Sequence, residues 1–143
     1  TANKCGKLVG INITGGQESF AGAIGSAAIK VMDLELARTG LTVDEALELG
    51  FVAKSKIIKA HDHPKYYKTQ HQIVFKVIYD ADTKQILGVQ GVGENDVVMR
   101  INMFAVAIFA KMTADEYSMI DLCYAPPFSG SWDATHIVAN VIK

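Results

Sequence analysis

The chain has 143 residues, 50% of them hydrophobic and 20% charged, and a formal net charge of −1 at pH 7. This length suits one compact domain with one core. The lysines and arginines are scattered, so neither nucleic acid nor an acidic membrane surface is an expected partner. An apolar run of the roughly 20 residues that span a bilayer is absent, as is a secretory signal pattern, and we expect a cytoplasmic protein.

The first 40 residues predict a helix and a strand. Thr1 to Ile13 carries a partial helical stripe that ends at Thr14-Gly15-Gly16. Because neither a starting methionine nor a capping residue precedes this stripe, we expect a helix entered in mid-course and a fragment of a longer protein. Ser26 to Gly40 predicts a strand, and its apolar alternation changes phase near Met32-Asp33. This phase change predicts a bulge or a register change.

Two segments have the pattern of a helix capping box. Thr42-Val43-Asp44-Glu45 and Thr113-Ala114-Asp115-Glu116 each place a glutamate three residues after a threonine, and the two side chains can satisfy two backbone amides at a helix start. The first box predicts a short helix that Gly50 closes in the left-handed conformation. The second predicts a helix that runs through Asp121.

A β-hairpin is the clearest element of the chain. His71 to Tyr79 alternates strictly between apolar and polar residues, a turn-forming segment follows, and Gln85 to Gly93 resumes as strand. Three glycines in Gly88 to Gly93 indicate close backbone packing rather than a phosphate site. Phe51 to Ala60 predicts a further strand, and His61 to Lys68 a loop.

Strands followed by helices predict an α+β fold. Asn95 or Asp96 is expected to cap a long helix that ends near Lys111. The fold class is therefore an antiparallel sheet of about four to five strands with helices on one face. Cys5 and Cys123 are too few for a disulfide framework, and we expect both to be buried. The four histidines have no second ligand cluster near them, so no metal site is expected.

One segment near the end of the chain carries the strongest functional signal. Tyr124-Ala125-Pro126-Pro127-Phe128-Ser129 contains two adjacent prolines, which favour a stiff turn because each fixes φ and lacks an N–H. With Trp132-Asp133 it resembles the C-terminal signature of the flavin-dependent pyridine-nucleotide oxidoreductases, the group of NADH oxidases, NADH peroxidases and coenzyme A-disulfide reductases. The resemblance extends over nearly the whole chain, from Ala2-Asn3-Lys4 onwards.

The resemblance implies parts that lie outside this chain. Upstream domains of the family bind FAD and NAD(P)H, and a single cysteine near the flavin carries the redox chemistry. Residues 1–16 would be the tail of the FAD-binding domain, and residues 17–143 the dimerisation domain of a homodimer. His61-Asp62-His63-Pro64 superficially resembles the His-x-His-Pro motif of relatives that use a His–Glu pair. It stands in the wrong place, so we expect that acid–base device to be absent.

The resemblance also implies site residues. Tyr66 and Tyr124 match two tyrosines that, in coenzyme A-disulfide reductases, reach the redox cysteine of the partner subunit. As neutral phenols they would donate hydrogen bonds to a thiolate or to a leaving sulfur. Tyr67 and Lys68 are expected near the substrate, and Lys68 replaces a proline that the family usually has there. The residues expected near the cofactor are Thr1, Ala2, Pro126 and Phe128.

Three functions remain open at this point. The first is the dimerisation domain of a reductase that acts on coenzyme A disulfide or a related persulfide. The second is the same domain of an NADH oxidase or peroxidase that reduces O2 or peroxide. The third is a dimerisation module without catalysis. We expect no cofactor to bind this fragment alone, because the flavin-binding and nucleotide-binding residues are not in it.

Overall fold

The computed structural model describes residues 1–142, and these residues form an α+β domain with one antiparallel sheet. The strands are β1 Ala27–Val31, β2 Leu34–Gly40, β3 Ala53–His61, β4 Gln72–Asp80 and β5 Ile86–Gly93. The helices are α1 Ala2–Ile13, α2 Val43–Glu48, α3 Val97–Phe109, α4 Ala114–Ser118 and α5 Ala134–Asn140. The strand order across the sheet is β1-β2-β5-β4-β3, and every neighbouring pair is antiparallel. The predicted fold class is confirmed.

The main core lies between one face of the sheet and helices α3 to α5. Alternate residues of β4 point into it, as predicted, and Ile73, Phe75 and Val77 are fully buried. Phe104 of α3 meets Phe75 edge-on at 6.1 Å between ring centroids and stacks on Tyr117 of α4 at 5.1 Å. These aromatic contacts join β4, α3 and α4 in one core.

The opposite face of the sheet carries an open apolar groove of about 500 Å³. Leu36, Val74 and Val92 line it, together with Ile57, whose side chain is 71% exposed. A smaller cluster lies at one end of the sheet, where Ala46 of α2 packs on Ile78 and Leu87. A contiguous apolar face of this kind is typical of a surface that another protein surface covers.

The segment from Ser26 to Gly40 differs from the sequence prediction. It forms two strands, β1 and β2, joined by a two-residue turn at Met32-Asp33, and not one strand with a bulge. Val31 pairs with Leu34 across the turn, and Met32 has a positive φ of 52°. The chain reverses its direction at this turn, and the reversal accounts for the change of phase in the apolar alternation.

The helix starts follow the capping pattern closely. Both predicted capping boxes form. The carboxylates of Glu45 and Glu116 each accept a hydrogen bond from the backbone amide of the capping threonine. Gly50 follows α2 with φ 88°, as expected for a left-handed cap. Helix α4 ends at Ser118 instead of Asp121, and helix α5 was not predicted. The start of α5 could have been predicted from Asp133, a preferred N-cap residue whose side chain accepts from the Thr135 amide.

Candidate active site

Two loops of the structure bring the predicted tyrosines together. Tyr66 lies in the β3–β4 loop, residues 62–71, and Tyr124 lies in the α4–α5 loop, residues 119–133. Both side chains are largely exposed, Tyr66 by 72% and Tyr124 by 54%. Partial desolvation, and next to it the nearby Tyr124 phenol, raise the pKa of Tyr66 above its ordinary value. The two residues that the resemblance singled out therefore form one pair in space.

The chemistry of this pair is that of two neutral hydroxyl groups. A phenol stays protonated near neutral pH, and its hydroxyl can donate one hydrogen bond while it accepts another. When one tyrosine donates to the other, the second O–H remains free for an incoming group. The exposed pair can therefore stabilise an anionic sulfur or oxygen that approaches from solvent or from another subunit.

His63 connects the two loops directly. Its Nε2 lies 2.8 Å from the carbonyl oxygen of Pro127, and it donates in this contact because a carbonyl can only accept. The ring is buried, with 7% exposure, and Tyr67 stacks on it at 5.0 Å with an interplanar angle of 10°. The β3–β4 loop is thus tied to the proline turn of the α4–α5 loop.

Arg100 of α3 makes a second connection between the loops. Its Nη2 donates to the backbone oxygen of Asp62 at 3.1 Å and to that of Phe128 at 3.4 Å. The same guanidinium donates through Nε and Nη2 to Asp133 Oδ2, at 3.1 Å and 2.9 Å. One buried cation therefore holds both loops and the first turn of α5.

Two buried aspartates carry the negative charge beside these contacts. Asp62 is fully buried, and its Oδ1 accepts from the His71 amide at 2.7 Å. Burial raises the pKa of Asp62, but the hydrogen bond from the His71 amide and the nearby His63 imidazole outweigh burial and lower it. Burial likewise raises the pKa of Asp133, but the charge of Arg100 and the Thr135 amide outweigh it and lower that pKa. Both carboxylates are therefore ionised at neutral pH.

The other residues expected near the substrate lie on the same loop as Tyr66. Tyr67 is half-buried against His63, so its ring takes part in loop packing, and Lys68 beside it is exposed. In the α4–α5 loop, Pro126 is partly buried, and the side chain of Phe128 is 71% exposed. The structure thus brings four of these predicted residues to the surroundings of the tyrosine pair.

Thr1 and Ala2, at the start of α1, lie elsewhere. Both are exposed, and Thr1 lines a separate cleft with Phe20 and with Val106 of α3. Cys5 is partly buried and Cys123, next to Tyr124, is exposed, so the prediction of a buried Cys123 is wrong.

The sequence interpretation missed His63 and Arg100. His63 belongs to the His-x-His-Pro motif, to which the sequence analysis gave no role because of its position. Arg100 lies in α3, which was predicted from its apolar residues alone. A basic residue amid the apolar residues of α3 was the signal that could have found Arg100, because arginine is seldom fully buried without a partner. Within residues 1–142, no cluster of metal-ligating side chains and no helix of membrane-spanning length and hydropathy occurs.

Comparisons with known proteins agree with this arrangement. Residues 26–135 match the family model of the pyridine nucleotide-disulphide oxidoreductase dimerisation domain. The chain is 40% identical over 141 residues to the NAD(P)H sulfur oxidoreductase (CoA-dependent) of Pyrococcus furiosus, covering 99% of this chain and 32% of the relative. It is 37% identical over 124 residues to an NADH oxidase of Methanocaldococcus jannaschii, covering 87% of this chain and 28% of the relative.

A solved structure shows the same fold. The NAD-dependent persulfide reductase from A. fulgidus superposes with a TM-score of 0.93 at 38% identity, and the match covers 98% of this chain and 26% of that one. The chain spans about a third or less of the length of these relatives. On the family model and the fold together, the chain belongs to the pyridine nucleotide-disulphide oxidoreductase dimerisation-domain family.

Proposed function

We propose that this chain is the dimerisation domain of an FAD-dependent NAD(P)H oxidoreductase that reduces coenzyme A disulfide or a related persulfide. In this proposal Tyr66 and Tyr124 donate hydrogen bonds to sulfur in the active site of a partner subunit. The observation that carries the proposal is that two exposed tyrosines stand on two loops that His63 and Arg100 join directly. Two loops far apart in sequence place them there, and buried polar contacts hold both loops.

The names of the relatives support a sulfur acceptor. One is called a CoA-dependent sulfur oxidoreductase, another a coenzyme A polysulfide/persulfide reductase, and the structural neighbour a persulfide reductase. Each of them matches this chain over nearly all of its length. The remaining two thirds of such a protein would supply the FAD site, the NAD(P)H site and the redox cysteine.

The division of the chain follows from the same proposal. Residues 1–16 are the tail of an FAD-binding domain and residues 17–143 the dimerisation domain, of which Lys143 lies outside the described residues. The family match at residues 26–135 supports the second part. In this proposal Thr1 and Ala2 would help to hold the flavin of their own subunit, and Pro126 and Phe128 would help to hold that of the partner. FAD, when bound, supplies the transfer of electrons from NAD(P)H to sulfur.

This chain's own residues supply binding and orientation. A disulfide or persulfide accepts electrons with cleavage of the S–S bond, and the departing sulfur becomes a thiolate. The Tyr66 and Tyr124 hydroxyl groups stabilise this charge as it develops. Lys68, exposed on the same loop, meets a phosphate of coenzyme A, and Tyr67 contacts the rest of that molecule. The homodimer brings both loops to the partner's cysteine, and the open apolar groove of the sheet supports burial of further surface.

A cytoplasmic location is part of the same proposal. Cys5 and Cys123 are both free, which suits a reducing compartment. Coenzyme A and pyridine nucleotides are substrates of metabolism inside the cell, and the proposed reaction requires both.

The experiment compares Tyr66→Phe, Tyr124→Phe and the double variant in the longer protein that carries this domain. We expect turnover with coenzyme A disulfide to fall about tenfold or more in the double variant, because removing an oxyanion donor typically costs at least that much. Flavin reduction by NAD(P)H, followed by stopped-flow absorbance, should not change. Tyr79→Phe, in the buried part of β4, is the matched control. Unchanged turnover in the double variant would reject the role of the pair.

A second candidate is an NADH oxidase, because the M. jannaschii relative bears that name. The two functions differ in their acceptor. Rapid NADH consumption with O2 and none with coenzyme A disulfide would favour the oxidase. A purified protein of this chain's own mass without flavin would favour a dimerisation module that takes no part in catalysis.

A further inference from the structure

We infer that His63 is a positioning residue that sets the geometry of the Tyr66–Tyr124 pair through its hydrogen bond to the Pro127 carbonyl. The inference about catalysis rests on the proposed function. The inference about geometry does not, because it concerns two hydroxyl groups and the bond that holds their loops together. His63 touches neither tyrosine hydroxyl and acts through the backbone of the proline turn.

The His63–Pro127 hydrogen bond lies at the same sequence distance from each tyrosine. Tyr66 lies three residues after His63, and Tyr124 lies three residues before Pro127. The His63 Nε2 to Pro127 oxygen distance of 2.8 Å therefore fixes the base of two arms of equal length, each of which ends in a tyrosine. A change at this bond would move one arm relative to the other.

The second step is the stiffness of each arm. In the β3–β4 loop, the Tyr67 amide donates to the Pro64 carbonyl at 2.9 Å and closes a turn that contains Tyr66. In the α4–α5 loop, the amides of Phe128 and Ser129 donate to the Ala125 carbonyl at 2.9 Å and 3.1 Å. Prolines fix φ in both turns. Rigid arms transmit the position of the His63 bond to the tyrosines.

The third step is that Arg100 fixes the residues on either side. Its Nη2 donates to the carbonyls of Asp62 and Phe128, the neighbours of His63 and Pro127. The two connections run side by side, so the loops cannot slide past each other while both exist. The Arg100 connection also reaches Asp133 at the start of α5, whereas the His63 bond joins the two tyrosine-bearing loops to each other.

The fourth observation concerns what His63 alone supplies. The ring is buried, its Nδ1 lies 3.1 Å from Asp62 Oδ2 in a poorly aligned contact, and Tyr67 stacks on it. Another aromatic residue could keep the stacking. The Nε2 donor to the Pro127 carbonyl requires a side chain with a donor at this position.

The experiment measures the coupling of the two tyrosines in this chain. With tyrosine labelled at the ring Cζ, NMR follows the titration of Tyr66 in the wild type and in Tyr124→Phe, each with and without His63→Ala. We expect Tyr124→Phe to lower the Tyr66 midpoint in the wild-type background and to have less than half of that effect when His63 is alanine. His63→Gln, which keeps a donor at a similar distance, should restore the coupling.

Controls separate positioning from folding. His71→Ala removes another histidine from the same cluster, and since His71 contacts Asp62 and Glu94 but not the α4–α5 loop, the coupling should persist. If His63→Ala fails to fold, His63→Asn replaces it, because asparagine has the same amide as glutamine on a side chain one methylene shorter, too short to reach Pro127. Full coupling in a folded His63→Ala or His63→Asn chain would overturn the inference.

A second measurement tests the consequence for catalysis in the longer protein. His63→Ala should lower kcat with coenzyme A disulfide about tenfold, with KM for NAD(P)H unchanged, and His63→Gln should recover most of it. Lost coupling in NMR with unchanged kcat would reject the proposed function and keep the geometric inference. Retained coupling would reject the inference whatever the turnover.

Discussion

Glu35 of β2 caps helix α3 from another part of the chain. Its Oε2 accepts hydrogen bonds from the Val97 amide at 2.9 Å and the Val98 amide at 3.2 Å. Asp96 occupies the N-cap position, as predicted, but it has φ 59°, and its side chain makes no capping hydrogen bond within the described residues. A carboxylate at a helix N-terminus also interacts favourably with the helix dipole. Glu35 thus joins the sheet to the helix that carries Arg100.

Replacing Glu35 by alanine should destabilise the chain by about 1–2 kcal/mol. The replacement leaves two amides of α3 without their acceptor, and loss of a capping side chain typically costs this much. Urea unfolding monitored by circular dichroism gives the free energy of unfolding. Glu35→Gln keeps an acceptor oxygen and loses the charge. Its free energy of unfolding should therefore lie between those of the wild type and of Glu35→Ala. Glu48→Ala, at the exposed end of α2, should change stability little, and an equal loss there would contradict the capping role.

Replacing Arg100 by methionine should cost about 3–5 kcal/mol. The change leaves Asp133 buried without its cation, and removal of one partner of a buried pair is strongly destabilising for that reason. Arg100→Met combined with Asp133→Ala removes both charges, and we expect it to be more stable than Arg100→Met alone. Thermal and urea unfolding of the wild type, of Arg100→Met, of Asp133→Ala and of the double variant give the coupling. A double variant that loses the sum of both single effects would contradict the buried pair.

Acid should unfold the wild-type chain in part through Asp62 and Asp133. Both have a pKa below the unfolded-state value of about 4, since favourable hydrogen bonds and the nearby cation outweigh burial. The unfolded state therefore binds more protons on acidification, and the stability present above about pH 4 is lost as the pH falls through the folded pKa values.

Asp133→Asn provides the measurement. Urea midpoints between pH 6 and pH 2.5 should show a large difference between wild type and variant at pH 6, and the two curves should converge at low pH. Convergence follows because protonation removes the same charge that the substitution removes. Parallel curves over the whole range would show that Asp133 contributes nothing to the acid dependence.

Replacing Tyr117 by phenylalanine should leave stability unchanged or raise it by up to about 1 kcal/mol. Its hydroxyl is buried and has no hydrogen-bond partner within the described chain, so its removal relieves a desolvation cost. Burial also raises the pKa of Tyr117 to about 12. In absorbance at 295 nm, the variant should lose a transition near that pH. Tyr117→Leu, which removes the stacking on Phe104, should destabilise.

Local patterns account for what the sequence predicted well. The alternation in β4, the two capping boxes and Gly50 each depend on residues a few positions apart, and all of them form as expected. The shared site of Tyr66 and Tyr124 came from the family resemblance alone, and it stays a prediction. Contacts within one helix or strand can be predicted from the sequence, because the residues that make them recur at a regular spacing.

Long-range contacts account for what the sequence did not predict. Glu35 caps a helix far along the chain, and Arg100 bonds to backbone oxygens of two loops. No spacing rule connects these residues, because the tertiary fold brings them together. The Met32-Asp33 turn was missed for a local reason, since this pair lacks the glycine or asparagine typical of a two-residue hairpin. His63 was missed for the same long-range reason, since its partner Pro127 lies in another loop far along the chain.

Gly40 should tolerate alanine worse than Gly50 does. Both have positive φ, 73° and 88°, so alanine is strained at either position by about 1–2 kcal/mol. A Cβ at Gly40 would also lie 2.2 Å from the Leu87 carbonyl oxygen, whereas at Gly50 it would have no described atom within 4 Å. Gly88, whose Cβ would lie 2.0 Å from the Leu41 carbonyl, confirms the predicted close packing of β5.

Urea unfolding of Gly40→Ala and Gly50→Ala separates the two causes. Gly50→Ala reports the backbone strain alone, and the excess loss in Gly40→Ala reports the contact with β5. We expect that excess to be at least as large as the strain itself, because the obstacle is backbone of a central strand and not a flexible side chain. Equal losses of stability at the two positions would mean that β2 and β5 can separate at no cost. The sheet would then not fix the position of Glu35 beneath α3.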